Sequence, residues 1–264
     1  MVEDGIIFLG SGGARVVVSI QQRVTGGILF YLAETLILVD PGPGSLIRFH
    51  QHGRPYRIDK LDAIILTHRH IDHTADANII IDAMTEGGKK RKGILFAPAD
   101  SLDNDPVVLR YHQSFLNEIK VINTGLEYRF DDLRLQFPIR HHHGVESYGV
   151  KFIHPEYSIG YITDTDYFDK LKEVYQCDIL IINVLRPEPI NFPHLSVMDA
   201  KKIIESTSPK LTIITHFGMM MITKGPSRIA RNLSRQTNAR IIAAEDGMRI
   251  KPGDFLNGQD QASA

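Results

Sequence analysis

The chain has 264 residues, 43% of them hydrophobic, enough for one sizeable core, and nothing in it marks a linker, so a single domain over residues 1–264 is expected. A formal net charge of −1 supplies no general pull toward nucleic acid or an anionic membrane. The one cysteine, Cys177, excludes an internal disulfide framework; with an acidic start that is unlike a signal peptide and no apolar run of bilayer-spanning length, a cytoplasmic protein is the default.

Strand-like runs fall at residues 5–9, 16–20, 28–32 and 36–39, broken by Gly10-Ser-Gly-Gly13 and Gly26-Gly27 as turns would break them. The apolar run 61–67 reads as a buried strand, and a helix follows over 73–84. The basic run Lys89-Lys-Arg-Lys92 reads as a solvated loop before a strand at 93–97, and a second helix is expected near 105–116. Strands recur at 128–130, 133–137, 148–153 and 157–162. The last third alternates strand 179–184, helix 197–206, strand 211–215, helix 227–236 and strand 240–244. Val197, Ala200, Ile203 and Ile204 share one face of the helix 197–206. Cys177 opens an apolar run and reads as a small buried residue rather than a nucleophile. Asp246-Gly247 reads as a hairpin turn, and the polar tail 257–264 as frayed. Runs of strands with helices at both ends imply two sheets packed face to face with helices outside.

The sharpest feature is His68-Arg-His70-Ile-Asp72-His73, four metal-binding side chains in six residues at the end of the run 61–67. With 12 His in the chain, a chance His-x-His-x-Asp-His is expected roughly once in a thousand such chains. In an extended turn His68 and His70 point the same way, because side chains alternate with period two. Asp72 and His73 diverge from that pair and suit a second ion, so the spacing suggests two adjacent metals. Further donors follow other apolar runs: His141-His-His143 after 133–137, Asp164 after 157–162, and His216 after 211–215. Each alone is weak, since a lone His after a strand is more often a surface or hydrogen-bonded residue. Together with the cluster they suffice for two ions and an open position.

This set resembles the metallo-β-lactamase superfamily over nearly the whole chain. The family's His-x-His-x-Asp-His motif falls on His68, His70, Asp72 and His73. Its later histidine matches His143, because His143-Gly-Val-Glu-Ser-Tyr-Gly149 looks like the segment after that ligand in ribonuclease Z, although His141 and His142 compete for the place. Its bridging aspartate matches Asp164 and its final histidine His216. An aspartate that is structural in the family matches Asp40 in Leu38-Val-Asp-Pro-Gly42, which also reads as a turn former. The resemblance implies an α/β fold, the αββα sandwich of two mixed β-sheets flanked by helices. It also implies two divalent metal ions, with Zn2+ first on family grounds. Nitrogen and carboxylate ligands without a thiolate leave Mn2+ and Fe2+ open.

Within the family, the opening Phe8-Leu-Gly-Ser-Gly-Gly-Ala14 looks like the start of ribonuclease Z and related small phosphodiesterases. Pro193-His194-Leu-Ser196 falls where ribonuclease Z carries a His-x-Ser/Thr motif whose histidine holds the phosphate and protonates the leaving oxygen. The resemblance therefore implies a metal-dependent hydrolase of small or cyclic phosphodiesters working through a metal-bridging hydroxide. Asp72 would orient that hydroxide, His194 would serve as general acid, and His194 and Ser196 would touch substrate. Ser196 has an equally direct reading as a helix cap in Ser196-Val-Met-Asp199. Rival readings are a lactone or thioester hydrolase, a tRNA 3′-processing endonuclease, a non-catalytic binding module, and a redox di-iron protein. The last usually has Glu where His70 stands. The expected partner is a small phosphodiester, with no long RNA and no membrane; a homodimer is the oligomer to test for.

Overall fold

The computed structural model describes residues 3–190 and 192–256, and in them the strands form two seven-stranded sheets. The first takes β1 (Gly5–Phe8), β2 (Ile28–Leu32), β3 (Thr35–Val39), β4 (Ala63–Ile65), β5 (Ile94–Ala97) and β6 (Glu118–Val121) side by side in chain order. The second takes β7 (Leu126–Phe130), β8 (Leu133–Phe137), β9 (Val150–Ile153), β10 (Ser158–Ile162), β11 (Ile179–Asn183), β12 (Leu211–Thr215) and β13 (Ile241–Ala243). A last short strand, β14 (Arg249–Ile250), returns to the first sheet and pairs with β1. Each sheet begins as an antiparallel meander and continues as parallel strands, β3 to β6 in the first and β10 to β13 in the second.

Most of the inner strands are continuous apolar runs because both of their faces are covered. In β2, Ile28, Phe30 and Leu32 point between the sheets, and Phe30 stacks on Phe152 of the second sheet at 4.3 Å. Leu29 points the other way, to an outer layer with Phe49 of α2 (Ser45–His52) and Ile80, Ile81 and Met84 of a later helix. The second sheet is covered likewise, its outer face meeting Leu171, Ala200, Ile203, Ile204, Ala230 and Leu233. These layers are the αββα sandwich the sequence implied. No helix among the described residues is long and apolar enough to cross a membrane.

Several expected elements differ. Four of residues 16–20 are β-branched, yet they lie in a helix, α1 (Ala14–Ile20), with only Val17 buried. The loop before α1 is tied through Gly12 to Thr25 and Phe217. Tertiary anchoring therefore overrides the strand propensity. The helix expected over 73–84 is two, α3 (Ile71–Thr74) and α4 (Ala77–Met84). The break is at Asp76, whose amide donates to the Pro41 carbonyl and whose carboxylate accepts the Leu46 amide at 2.9 Å. Near 105–116 only α5 (Arg110–Gln113) is helical, since the Asn78 side chain holds the Val107 carbonyl and the Leu109 amide in a loop. Helices α6 (Lys170–Val174), α7 (Val197–Thr207), α8 (Met219–Lys224), α9 (Pro226–Thr237) and α10 (Gly253–Leu256) complete the chain. Of these α6, α8 and α10 are too short for a periodic pattern to announce them, as are β6 and β14. Asp246-Gly247 is no hairpin: it joins β13 of one sheet to β14 of the other. The Asp246 carboxylate there accepts the Ser11 amide and hydroxyl and the Val24 amide. The run Lys89–Lys92 does form a loop, with Arg91 bound to the Leu116 carbonyl. The tail 257–264 lies outside the described residues.

Cys177 packs beside β11, and burial pushes its thiol up to about 12. At pH 8 the thiolate is then on the order of one part in ten thousand, against about a quarter for a free thiol of pKa ~8.5. Iodoacetamide at pH 8 should leave the folded protein unlabelled and add one equivalent in denaturant. Rapid labelling of the folded protein would show the thiol to be exposed or activated.

Candidate metal centre

The parallel strands of both sheets deliver their carboxyl ends to one edge of the sandwich, where ligands bind in open α/β sheets. Asp40 follows β3, His68 lies just beyond β4, Asp164 just beyond β10, Asn183 ends β11, and His216 follows β12. His143 arrives from the loop after the antiparallel strand β8. The structure gathers the donor atoms into overlapping groups: His68, His70 and His143; His68, His73 and Asp164; Asp72, His73 and His216; and His143, Asp164 and His194. Donors far apart in sequence thus meet in space, His73 and His216 being 143 residues apart.

Tautomers decide what these rings can do, because the hydrogen bond at one nitrogen fixes the state of the other. The Thr67 hydroxyl donates to Asp40 Oδ2 at 2.7 Å, so its lone pairs face the His68 Nδ1–H at 3.0 Å. His68 Nε2 is left as a bare lone pair, buried and without a hydrogen-bond partner. Burial also holds the His68 pKa well below the usual imidazole range. His73 Nδ1 donates to Asp40 Oδ2 at 2.9 Å, which turns its Nε2 toward His216 Nε2 at 3.0 Å. His143 Nδ1 donates to the Pro193 carbonyl at 2.9 Å, and its Nε2 faces His70 Nδ1 at 3.1 Å. Facing acceptor nitrogens need a proton or a cation between them.

The spacing fits a cation. Tetrahedral ligands at zinc–nitrogen distances of about 2.0–2.1 Å lie roughly 3.3 Å from one another. Asp72 Oδ2 is 3.3 Å from His216 Nε2 and 3.7 Å from His73 Nε2. Asp164 Oδ2 lies 3.8 Å from His68 Nε2 and 3.5 Å from His73 Nε2, within reach of both groups. Its other oxygen accepts the Asn183 amide at 2.8 Å. Burial opposes a charge on Asp164, but the rings of His216, His194 and His73 outweigh it and hold its pKa well below the carboxylate range. Burial likewise opposes a charge on His73, yet Asp40, Asp72 and Asp164 outweigh it and raise that ring's pKa well above the usual range. A cation at His73 Nε2 therefore competes with a proton there.

Of the histidine triplet only His143 joins these groups among the described residues. His141 turns into the core against the Tyr175 hydroxyl at 2.9 Å, and burial pushes its pKa down to about 3. His142 stacks on Phe168. His194 stands at the cluster, its Nε2 3.0 Å from Asp164 Oδ2. Ser196, expected at the substrate, is a helix cap instead: its hydroxyl donates to Asp199 Oδ2 at 2.7 Å and accepts the Asp199 amide, and the residue is fully buried. Backbone crowding explains two glycines. A Cβ on Gly13 would lie 2.3 Å from the His216 ring, and one on Gly42 2.0 Å from the Asp72 carbonyl. The neighbouring Ala14 amide donates to Asp72 Oδ2 at 3.0 Å. Sequence reasoning missed Asn183, whose only trace was an amide closing an otherwise apolar strand, and Arg186, a charge just past that strand.

Residues 35–217 match the family model described as the beta-lactamase superfamily domain. The chain belongs to the beta-lactamase superfamily. It is a hydrolase of the metallo-β-lactamase fold, a class that binds divalent metal. It is 31% identical over 263 residues to an uncharacterized protein of Methanocaldococcus jannaschii, covering 96% of each chain. It is 22% identical to a ribonuclease Z of Methanopyrus kandleri, covering 92% of this chain and 96% of that one. Among solved structures it resembles the metallo-beta-lactamase fold protein YhfI of Bacillus subtilis, with a TM-score of 0.75 at 18% identity over 95% of this chain and 99% of that one.

Two measurements test the centre. His68→Ala and Asp164→Ala should each lower bound metal from two ions per chain and remove hydrolysis; a fully active preparation with one ion would refute a dinuclear site. Asn183→Leu keeps the volume but leaves Asp164 Oδ1 without its donor. It should weaken metal binding about 10–100-fold, as loss of a supporting hydrogen bond does. Unchanged affinity in chelator competition would mean that Asn183 does not orient the carboxylate.

Proposed function

We propose that this hydrolase is a phosphodiesterase acting on small or cyclic phosphodiesters, with two divalent ions, zinc foremost, held by His68, His70, His143, Asp72, His73, His216 and a shared Asp164. When bound, such ions supply a nucleophile at neutral pH and stabilise charge on the attacked phosphoryl group. The observation that carries the reading is the placement of His194. Asp164 is ionised and accepts only, so the hydrogen in the 3.0 Å contact belongs to His194 Nε2. An N–H donor thus stands at the rim of the donor cluster, within reach of a phosphoryl or leaving oxygen. A donor at that place is positioned to protonate the leaving oxygen. Asp72, held by the Ala14 amide and 3.3 Å from His216, is the carboxylate that would orient the attacking water. The similarity to a ribonuclease Z supports phosphodiester chemistry rather than lactone or thioester hydrolysis.

Substrate size follows from what surrounds the centre. Ribonuclease Z, as the sequence resemblance has it, carries a protruding arm between the segments matching His143 and Asp164. Here the 20 residues 144–163 hold only β9, β10 and their turns. With a net charge of −1, the surface lacks the basic excess that sustains long phosphate-backbone contacts. A soluble cytoplasmic enzyme of small substrates is the corresponding proposal.

His194→Ala should leave two ions bound and slow turnover by roughly 10²–10⁴-fold, the usual worth of a positioned acid. The loss should be large for diesters with alkoxide leaving groups and small for nitrophenyl esters, which need little protonation. Loss of metal, or equal slowing of both, would make His194 a ligand or a support. In a panel of linear diesters, cyclic phosphates and precursor tRNA, the small substrates should be hydrolysed fastest. Efficient, salt-sensitive cleavage of precursor tRNA at its 3′ side would instead make the protein a processing endonuclease.

A further inference from the structure

Arg186 follows β11 and is 6% exposed, yet it forms no ion pair among the described residues. Buried charges are ordinarily paired. Asp166 and Asp199 act on this one only through space. Its Nη2 instead donates to three main-chain carbonyls: Ile190 at 3.1 Å, Phe192, and His194 at 2.7 Å. Nε and Nη1 have no partner among the described residues. The three carbonyls belong to a tightly wound segment in which the Phe192 amide donates to Ile190 and the His194 amide to Phe192, each at 2.7 Å. The same loop is closed at its base, where the Val197 amide donates to the Arg186 carbonyl and the Leu185 amide to Leu195. Above it, the Phe192 ring stacks on the His194 ring at 4.7 Å with an interplanar angle of 3°, and the guanidinium carbon lies 5.7 Å from the Phe192 ring centre.

A cation that leaves donors idle in the interior costs stability, and this one makes only contacts that shape the turn carrying His194. We infer that Arg186 is a positioning residue: by gathering the carbonyls of 190, 192 and 194 onto one nitrogen, it winds the loop so that His194 Nε2 points at the Asp164 carboxylate and the scissile phosphodiester. The inference rests on the role of His194 proposed above. Among the described residues no hydrogen bond or ion pair joins the Arg186 side chain to a side chain of the donor groups, so its effect on turnover passes through the imidazole.

The test is a double-mutant cycle on the metal-loaded protein, with R186M and R186K made in the wild-type and H194A backgrounds. Each variant is assayed on an alkyl and a nitrophenyl phosphodiester, with bound metal and thermal unfolding measured alongside. R186M should keep both ions and slow the alkyl ester roughly 10–100-fold, less than loss of the acid itself, with far less effect on the nitrophenyl ester. In the H194A background it should add nothing, the mark of one residue acting through another. R186K, whose ammonium offers three hydrogens to the same carbonyls, should recover part of the loss. A crystal structure of R186M should show His194 drawn away from Asp164. Multiplicative losses in the double variant, loss of metal, equal slowing of both esters, or His194 unmoved in R186M would each overturn the inference. If H194A alone is indifferent to the leaving group, the acid role fails; the cycle still reports separately whether Arg186 acts through His194.

Discussion

The carboxylate of Asp40 is the contact on which the centre depends. It is buried at the end of β3 and accepts the Thr67 amide, the Thr67 hydroxyl, His73 Nδ1 and, from the opposite sheet, the Tyr161 hydroxyl. A buried carboxylate is costly unless its oxygens are hydrogen-bonded, and this one accepts four donors. Its position fixes two tautomers at once, that of His73 directly and that of His68 through Thr67. Neither ring could present a bare nitrogen to a cation without it. Asp40 is thus outside the donor groups and still decides what they can hold.

The same logic repeats around the site. Pro193 does for His143 what Asp40 does for His73, Asn183 anchors Asp164, and the Ala14 amide anchors Asp72. Supporting partners of this kind orient ligands and are costly to lose. They come from a strand end, a helix start and a loop beside the donor cluster, and Gly13 and Gly42 leave room for the close approach there. The chemistry therefore sits on a rigid edge of two sheets rather than on a flexible lid.

Much of this was legible in the sequence. Apolar runs gave the inner strands, because strands covered on both faces cannot alternate. The motif at 68–73 located the donors, since six residues carrying four of them rarely occur by chance. What stayed hidden has physical reasons. Residues 16–20 look like a strand because β-branched side chains favour one, yet no partner strand is available there and anchored neighbours impose a helix. The edge strand β6, whose residues are half-buried or exposed, has no apolar run to announce it. Asn183 and Arg186 act through an amide and through carbonyl contacts, and neither leaves a spacing signature. Within His141–His143, identical side chains in a row carry no information about which one turns inward; only the Tyr175 hydroxyl and the Phe168 ring sort them.

The split of the donors between the two sheets has a consequence for how the protein matures. His68, His70, Asp72 and His73 lie in the half of the chain that is synthesised first, whereas Asp164 and His216 come from the parallel strands of the second half. Until β10 and β12 have docked, the early half offers His68, His70, Asp72 and His73 but lacks the Asp164 and His216 that complete their groups. The full set of donors therefore exists only once the sandwich has closed. An ion held by donors from both halves would clasp segments distant along the chain, and whatever binds the closed form better than the open one stabilises it.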